Sequence, residues 1–431
     1  MNEFLYGILS WINSWVGSWG VAMIVFTVMI RLVLTPLDVK SRVSMRKTSK
    51  LQPQIQALQK KYANDREKLN AKTAELYRKE HINPMASCLP LLLTWPILIA
   101  VFAAMRTVAN EKLLEQFGQI LQGNQPQLEP FLWIRNLWMP DNIFRPAYTD
   151  LDALRQIPAD QWMTWFRDLQ NAGLPPFMQD LGITATSFEP QYFEETLNRI
   201  LTAVQNLPAD QWQAWAADIQ KTGVPAALQS LNLTAESFES ASLAGTVQTI
   251  SDALRTLTPA EWKDWVNSCL PEVIQGLRLD ISSFDNGYAG QSLGYIIQTL
   301  RAEGSGAQFD FYRNALSDTP YSIMLLGTVP QLPNGFLILP VLSAVSQIVM
   351  TKIMSGNQAP QPAAEGQPNT GKFMQWFFPI FSLWICLGYS AAFALYWVAG
   401  NLVSMAQTLI INRVLDKKEK QAAVAGEGTI K

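Results

Sequence analysis

The sequence predicts an all-α, polytopic membrane protein with five transmembrane helices, a cytoplasmic helical hairpin and an extracytoplasmic helical repeat domain. Three observations support this prediction: long uncharged stretches, a separation of basic from acidic segments, and an internal repeat. The composition agrees with it, because 48% of the residues are hydrophobic and only 16% are charged, against about 25% charged residues in an average soluble domain.

Uncharged stretches locate the transmembrane helices, because each helix needs about 20 mostly apolar residues to cross a bilayer. Stretches without Asp, Glu, Lys or Arg cover residues 4–30, 82–105, 319–351 and 373–412. We predict five transmembrane helices in order at 19–37, 85–106, 336–354, 373–388 and 391–412. Gly388, Tyr389 and Ser390 form the predicted turn between the last two. The stretch 1–18 has apolar residues at helical spacing and predicts an amphipathic helix at the membrane interface.

The distribution of charge predicts the orientation. Residues 38–84 hold 12 Lys or Arg against 5 Asp or Glu, whereas residues 106–335 hold 13 against 25. The segment 352–372, which contains the predicted loop 355–372, holds 2 Lys or Arg against 1 Asp or Glu, and the tail 413–431 holds 5 against 3. Because short cytoplasmic segments are enriched in Lys and Arg, we expect the N-terminus outside, 38–84 in the cytoplasm, 107–335 outside, and the C-terminus in the cytoplasm.

The cytoplasmic segment 38–84 predicts a hairpin of two helices joined near Ala63 and Asn64. Asn64 and Glu67 have the spacing of a capping box that opens the second helix. The excess of positive charge leaves two interpretations open: a solvated hairpin without a partner, or contact with anionic lipid or ribosomal RNA.

The external region contains an internal repeat. Trp162, Trp212 and Trp262 recur at a period of 50 residues within closely matching segments. Fixed-period similarity indicates stacked structural units, so we predict three helical repeats of about 50 residues over about 150–300. A second tryptophan follows each first one, at Trp165, Trp215 and Trp265. We interpret these pairs as repeated core contacts rather than as a glycan-binding surface, and the ligand of the repeats is unknown.

Enzyme chemistry is not indicated. The sequence has one histidine, His81, and three cysteines, Cys88, Cys269 and Cys386, without a CxxC motif or a Cys/His cluster. It has no P-loop and no G-x-S-x-G motif. We therefore predict a protein that is not an enzyme, with no catalytic residue, cofactor or metal, and a structural role for His81.

Arg31 is a charged residue inside the first predicted transmembrane helix, where a charge costs about 2.5–3.5 kcal/mol at the helix centre. It could snorkel to the cytoplasmic interface, roughly 9 Å away, or it could lie in a water-filled cavity. Polar residues in the transmembrane helices favour the cavity; they are Thr27, Thr94, Ser343, Gln347, Asn401 and Gln407.

Several motifs in one order resemble the YidC/Oxa1/Alb3 insertases. They are Thr27-x-x-x-Arg31-x-x-x-Thr35-Pro36-Leu37, Leu51-Gln52-Pro53-Gln54, Ile82-Asn83-Pro84, Cys88-Leu89-Pro90, Trp95-Pro96-Ile97, and Leu395-Tyr396-Trp397-x-x-x-Asn401-Leu402 followed by Gln407. The resemblance covers about 20–110 and 335–415. It is closer to the five-span Gram-positive form, with an insert added between the second and third transmembrane helices.

The resemblance implies a substrate groove that is open to the cytoplasm and to lipid. The groove residues are then Arg31, Thr27, Gln347, Tyr396, Trp397, Asn401 and Gln407. The implied function is insertion and folding of nascent integral membrane proteins in the bacterial plasma membrane, with the lipid bilayer as a further partner. The Sec translocon and the ribosome are candidate partners, and no specific nucleic-acid sequence is expected.

Two alternatives remain open from the residues alone. A small-solute transporter or channel would also use an intramembrane arginine, although the predicted transmembrane helices show no inverted repeat. In an envelope-binding protein, the repeats would bind a ligand and the transmembrane helices would only anchor them.

Overall fold

The computed structural model describes residues 2–62, 65–79, 89–179, 181–218, 224–277, 279, 281–284, 288–302, 304–323, 327–355 and 370–427. His81 and Cys88 lie outside these ranges. The described chain is mostly helical and divides into two compact units. The first unit comprises Met1–Lys112, Leu128–Ala147 and Asp318–Lys431; the second comprises Leu113–Gln127 and Tyr148–Ser317.

Seventeen α-helices and two strands lie within the described residues. The helices, in order, are α1 Asn2–Val16, α2 Trp19–Lys61, α3 Arg66–Lys79, α4 Leu89–Leu121, α5 Leu151–Leu154, α6 Ala159–Gly173, α7 Phe193–Asn206, α8 Ala209–Asp218, α9 Ala226–Gln229, α10 Leu243–Thr256, α11 Pro259–Ser268, α12 Glu272–Leu277, α13 Ala289–Arg301, α14 Asp310–Leu316, α15 Ile338–Ser355, α16 Thr370–Gly388 and α17 Ala391–Glu427. Strands β1 Asp318–Ile323 and β2 Gly327–Pro330 pair antiparallel. Short 3-10 helices cover Ala185–Phe188, Ala235–Phe238, Ile281–Phe284 and Ala307–Phe309.

Two helical segments are long and apolar enough to cross a membrane by length and composition. They are Trp19–Leu51 and Ala391–Lys418. Two further apolar helices are shorter, at Ile338–Ile353 and Trp376–Gly388. Helix α2 continues without a break to Lys61, so the first predicted transmembrane helix and the first hairpin helix form one rod. Helices α16 and α17 are separated at Tyr389 and Ser390, where the sequence predicted the turn.

The second hairpin helix begins at Arg66, and a residue other than the predicted one caps it. The Asp65 carboxylate accepts a hydrogen bond from the Lys68 backbone N–H at 3.0 Å, which satisfies a donor of the first helical turn. Asn64, the predicted cap, lies outside the described residues.

Helix α1 is amphipathic. Its Leu5, Leu9 and Ile12 are buried, whereas Phe4 and Trp15 are largely exposed. The helix ends at Gly17, which has a φ of 65°, a left-handed conformation that glycine adopts without steric cost. The buried face packs against α2.

The segment 134–141 joins the N-terminal ends of three helices in the first unit, and we call it the plug. Its Trp138 contacts Trp19 of α2 with ring centroids 5.4 Å apart. Its Asp141 carboxylate accepts from the Leu339 backbone N–H of α15 at 2.7 Å. The backbone oxygen of Met139 accepts from Ala391 of α17 at 2.9 Å. Helices α2, α15 and α17 therefore begin at the same end of this unit.

Helix α16 runs the other way. Ser382, near the C-terminal end of α16, accepts through its backbone oxygen from Ser343, near the start of α15, at 3.2 Å. Phe102, in the first half of α4, lies 4.9 Å from Tyr389 and 5.0 Å from Phe393, measured between ring centroids. Helices α15, α16 and α17 thus alternate in direction along the chain.

The second unit packs its repeated segments around stacked aromatic rings. Three pairs lie nearly face to face: Trp162 on Phe284, Trp212 on Phe238, and Trp262 on Phe188. All six of these side chains are buried, as the core interpretation of the tryptophans predicts. The pairing order is reversed, because the first tryptophan helix packs on the third 3-10 turn and the third on the first.

Local capping follows the sequence pattern in α11. The Thr258 hydroxyl accepts from the Glu261 backbone N–H at 3.3 Å, and the Glu261 carboxylate accepts from the Thr258 backbone N–H at 2.8 Å. These hydrogen bonds hold the pKa of Glu261 below its usual value. Close packing occurs at Gly173, where a Cβ would lie 2.2 Å from the Cys269 backbone oxygen, so only glycine fits.

Candidate functional site

Arg31 lies on α2 against the backbone of Gly400 on α17. A Cβ placed on Gly400 would lie 3.4 Å from Nη2 of Arg31 and 3.8 Å from Cγ2 of Thr27. These are ordinary van der Waals distances, so the guanidinium group packs beside this turn of α17. Arg31 is partly exposed, and its guanidinium hydrogen-bonds to none of the residues that the structure describes. An apolar helix thus carries a positive charge whose donors are available.

Thr27 lies one helical turn before Arg31 on α2. Gln407 lies on α17, opposite the turn of α2 that follows Arg31. Thr27 is buried and donates to the Met23 backbone oxygen at 2.6 Å. Gln407 of α17 donates to the Arg31 backbone oxygen at 3.0 Å and to the Thr35 hydroxyl at 2.8 Å. The Gln407 side-chain oxygen is buried, and no described group donates to it. The hydrogen bonds of Gln407 join α17 to the turn of α2 that follows Arg31.

Tyr396 and Trp397 lie one turn before Gly400. Tyr396 is buried within electrostatic reach of Arg31. The Trp397 ring contacts Phe393 with centroids 5.6 Å apart, and its Nε1 is buried without an acceptor among the described residues. Tyr396 thus supplies aromatic surface near the charge, and Trp397 supplies a buried N–H donor on the same turn of α17.

Asn401 connects α17 to α15. Its amide donates to the Ser346 hydroxyl at 2.9 Å, and both residues are buried. The residue of α15 that the sequence predicted for the groove was Gln347, whose side chain is partly buried and makes no hydrogen bond to a described residue. Asn401 thus contacts Ser346, the residue before Gln347, whose side chain lies about 100° away around α15.

Three polar contacts between α2 and α17 were missed from the sequence. Arg42 donates to the buried Thr408 hydroxyl. Arg46 donates to the Asn412 backbone oxygen at 3.2 Å and lies 2.7 Å from the Asp416 carboxylate. Their spacing could have indicated them. Arg42 and Arg46 follow Arg31 by 11 and 15 residues, or about three and four helical turns, and so lie near the same face of α2.

The order of these contacts shows that α2 and α17 run parallel. Positions 31, 35, 42 and 46 of α2 meet positions 400, 407, 408 and 412 of α17. The interface is apolar near the plug and polar from Arg31 onward. Among the described residues, no group of His, Cys, Asp and Glu could hold a metal ion. The side chains at this site supply electrostatic attraction, hydrogen bonding and apolar contact.

Comparison with known proteins identifies the family. The family described as 60Kd inner membrane protein matches residues 11–189 and 291–419. Similar proteins include "Membrane protein insertase YidC" of Anaeromyxobacter dehalogenans (strain 2CP-C), 39% identical over 32% of this chain and 22% of the relative. The relative of the same name in Fusobacterium nucleatum is 37% identical over 31% of this chain and 58% of its own length.

A third relative with this name, from Clostridium perfringens, is 34% identical over 40% of this chain and 66% of its own length. The aligned part spans about a fifth of the Anaeromyxobacter protein. The family match covers both flanks of the second unit, including Arg31 and the whole polar interface with α17. The chain belongs to the 60Kd inner membrane protein family, the YidC/Oxa1 group of membrane proteins.

Proposed function

We propose that this protein is a membrane protein insertase, which inserts nascent integral membrane proteins and helps them fold. One observation carries the proposal: the guanidinium of Arg31, which hydrogen-bonds to none of the described residues, lies inside an apolar helix beside polar residues of a parallel neighbour. The name "Membrane protein insertase YidC" of the relatives agrees with it. A charged residue inside a transmembrane helix costs free energy. Binding of a substrate group of opposite charge offsets part of that cost.

The proposed topology has five transmembrane helices, in α2, α4, α15, α16 and α17. The directions of four of these helices support it, because α2, α15 and α17 begin at the plug and α16 runs toward it. With the positive-inside rule, the plug lies on the outer side. The N-terminus is then outside, the C-terminus is cytoplasmic, and α1 lies in the outer interface.

The second unit is proposed to be an extracytoplasmic domain of three helical repeats. Its external location follows from the acidic charge of 106–335. Its ligand is unassigned. Helix α3 and the cytoplasmic half of α2 form the proposed hairpin, whose positive charge suits anionic lipid or ribosomal RNA. The Sec translocon and the ribosome are proposed partners on this basis.

Insertion requires no covalent step. The polar flank of a client enters between α2 and α17 from the cytoplasm, and Arg31 attracts an acidic group in it more strongly than in bulk water, because the effective dielectric constant is lower there. Gln347, whose side chain makes no hydrogen bond to a described residue, and Gln407, whose side-chain oxygen accepts from none, supply hydrogen bonds to the flank. The apolar client segment slides along Tyr396 and Trp397 into lipid. Burial of its apolar surface, at about 25 cal/mol per Å², and the membrane potential supply the energy.

Site-specific crosslinking of a stalled nascent membrane protein tests this proposal. A photoreactive amino acid at position 27 or 397 should crosslink to the client's apolar segment. The matched control is position 380, where Ile380 of α16 is largely exposed and does not belong to the proposed groove. Equal yields at all three positions, or none, would contradict the proposed substrate path.

A further inference from the structure

Asp38 lies between two arginines on one face of α2. It follows Arg31 by seven residues and precedes Arg42 by four, and these spacings are close to two turns and one turn of an α-helix. Asp38 is partly buried, and its carboxylate interacts electrostatically with both arginines. The face that α2 turns toward α17 therefore carries an acidic group beyond the basic one.

The arginines on this face differ in their partners. Arg46 is balanced by Asp416 of α17 at 2.7 Å. Arg42 is held by the Thr408 hydroxyl, a neutral partner, and its Nε is buried with no acceptor among the described residues. The positive charges of Arg31 and Arg42 are therefore reduced mainly by Asp38. Removing this carboxylate would raise the positive potential along the path that a client enters.

The size of the effect follows from the spacing. Seven residues rise roughly 10 Å along a helix. At this distance, and at effective dielectric constants from about 20 to about 80, one carboxylate changes the binding of a unit charge at Arg31 by roughly two- to seventeenfold. The change in binding has opposite sign for acidic and basic clients. The ratio of their insertion yields therefore changes by the product of the two effects.

We propose that Asp38 is a specificity-determining residue, which weakens the attraction of Arg31 and Arg42 for acidic client flanks and admits neutral and basic ones. The inference rests on the proposed insertase function. Asp38 lies nearer the cytoplasmic end of α2 than Arg31, so a flank meets its negative charge before it reaches the deeper arginine. The pair then discriminates between client flanks by their charge.

The test uses the full chain in vesicles of phosphatidylethanolamine and phosphatidylglycerol. Single-span clients differ only in whether their translocated flank carries two acidic, two neutral or two basic residues. The measured quantity is the ratio of insertion yields for acidic and basic clients. Asp38→Asn should raise this ratio at least about fourfold, about twofold from each client, and Asp38→Glu should leave it near the wild-type value. Glu75→Gln is the matched control, because Glu75 pairs with Lys72 on α3, away from this face.

Arg42→Gln provides an independent test that does not depend on the folding of the Asp38 variant. It keeps a donor for Thr408 but removes a positive charge, so it should lower the same ratio. An unchanged ratio in both Asp38→Asn and Arg42→Gln would overturn the assignment of Asp38. A wild-type chain that inserts no client would instead overturn the proposed function.

Discussion

Trp262 of the third repeat stacks on Phe188 of the first repeat, with ring centroids 5.3 Å apart and ring planes within 7° of parallel. Lys263, the neighbour of Trp262, forms an ion pair with Glu189, the neighbour of Phe188. Because the middle repeat stacks Trp212 on its own Phe238, the three repeats pair in reverse order. The unit is closed around a shared centre, in contrast to a linear array in which each repeat contacts only its neighbours.

The reversed pairing predicts an energetic coupling between the first and third repeats. Phe188→Ala and Trp262→Ala should each destabilise the unit by about 3–5 kcal/mol, because each empties a buried site. A double-mutant cycle should give a coupling of about 0.5–1.5 kcal/mol between them. Phe188 and Trp212 share no ring contact, and their cycle should be additive. Urea unfolding measures both cycles, and a linear array would reverse the two results.

The boundaries of the second unit predict which fragment folds. Residues 113–317 include Phe117, whose ring lies 6.0 Å from Trp162, and the buried Tyr312, whose hydroxyl donates to the Thr149 backbone oxygen at 2.7 Å. A fragment of 150–300 lacks these aromatic residues, each worth about 3–5 kcal/mol. Circular dichroism should show a cooperative helical melt for 113–317 and a much lower melting temperature, or no transition, for 150–300. Equal melting temperatures would place the true boundary inside 150–300.

Variants of Arg31 should rank by charge in the insertion of clients with acidic flanks. Arg31→Ala removes the attraction, Arg31→Lys keeps a point charge but loses the planar fork, and Arg31→Glu repels the flank. We expect yields in the order Arg, Lys, Ala, Glu, with Ala reduced at least about tenfold, which corresponds to about 1.4 kcal/mol. Clients with neutral flanks should change less. Equal yields for the three variants across matched clients would show that the charge is not used.

Asp141 should be a major determinant of stability in the first unit. Its carboxylate is buried and accepts from the backbone N–H groups of Phe336 at 2.8 Å and Leu339 at 2.7 Å. Asp141→Ala leaves these donors unsatisfied, at about 1–3 kcal/mol for each group. Asp141→Asn keeps one acceptor oxygen and should be intermediate. Thermal unfolding of the full chain in detergent measures the order, and an alanine variant as stable as the asparagine variant would contradict the capping role.

Cys269 should resist alkylation in the native protein. Burial raises the pKa of its thiol to about 11. Because the reactive form is the thiolate, only about one thiol in a thousand is ionised at pH 8. In a variant that retains Cys269 alone, iodoacetamide labelling should be slow at pH 8 and should accelerate as the pH approaches 11. Denaturant should restore the ordinary rate at pH 8; rapid native labelling would show that Cys269 is exposed.

Local features were predictable from sequence because each depends on neighbouring residues. The turn at Tyr389 and Ser390 follows from two adjoining apolar stretches, and the capping box of Thr258 and Glu261 follows from their spacing. Arg31 was identifiable because a charge interrupts an apolar helix. These features require no knowledge of which distant segments meet.

The contacts that could not be predicted from the sequence depend on the register between segments that are distant along the chain. Arg42 meets Thr408 across 366 positions of sequence, and the choice of Ser346 over Gln347 depends on a rotation of one residue about α15. The reversed stacking was inaccessible for another reason. Near-identical repeats offer each tryptophan equivalent partners at the three 3-10 turns, so periodicity alone cannot select the third turn for Trp162.

Hydrogen bonds at and after the plug also connect the two chain segments that flank residues 148–331. The Asn334 side chain donates to the Asn136 backbone oxygen at 2.9 Å, and the Ala147 backbone N–H donates to the Leu332 oxygen at 2.8 Å. These hydrogen bonds form a stem that holds both ends of the insert within the first unit. Because the entropy of closing a loop grows only with the logarithm of its length, each doubling costs only about 0.6 kcal/mol. Insertions or deletions beyond this stem, in residues 148–331, are therefore expected to change the entropy of closure little and to leave the register of the first unit intact.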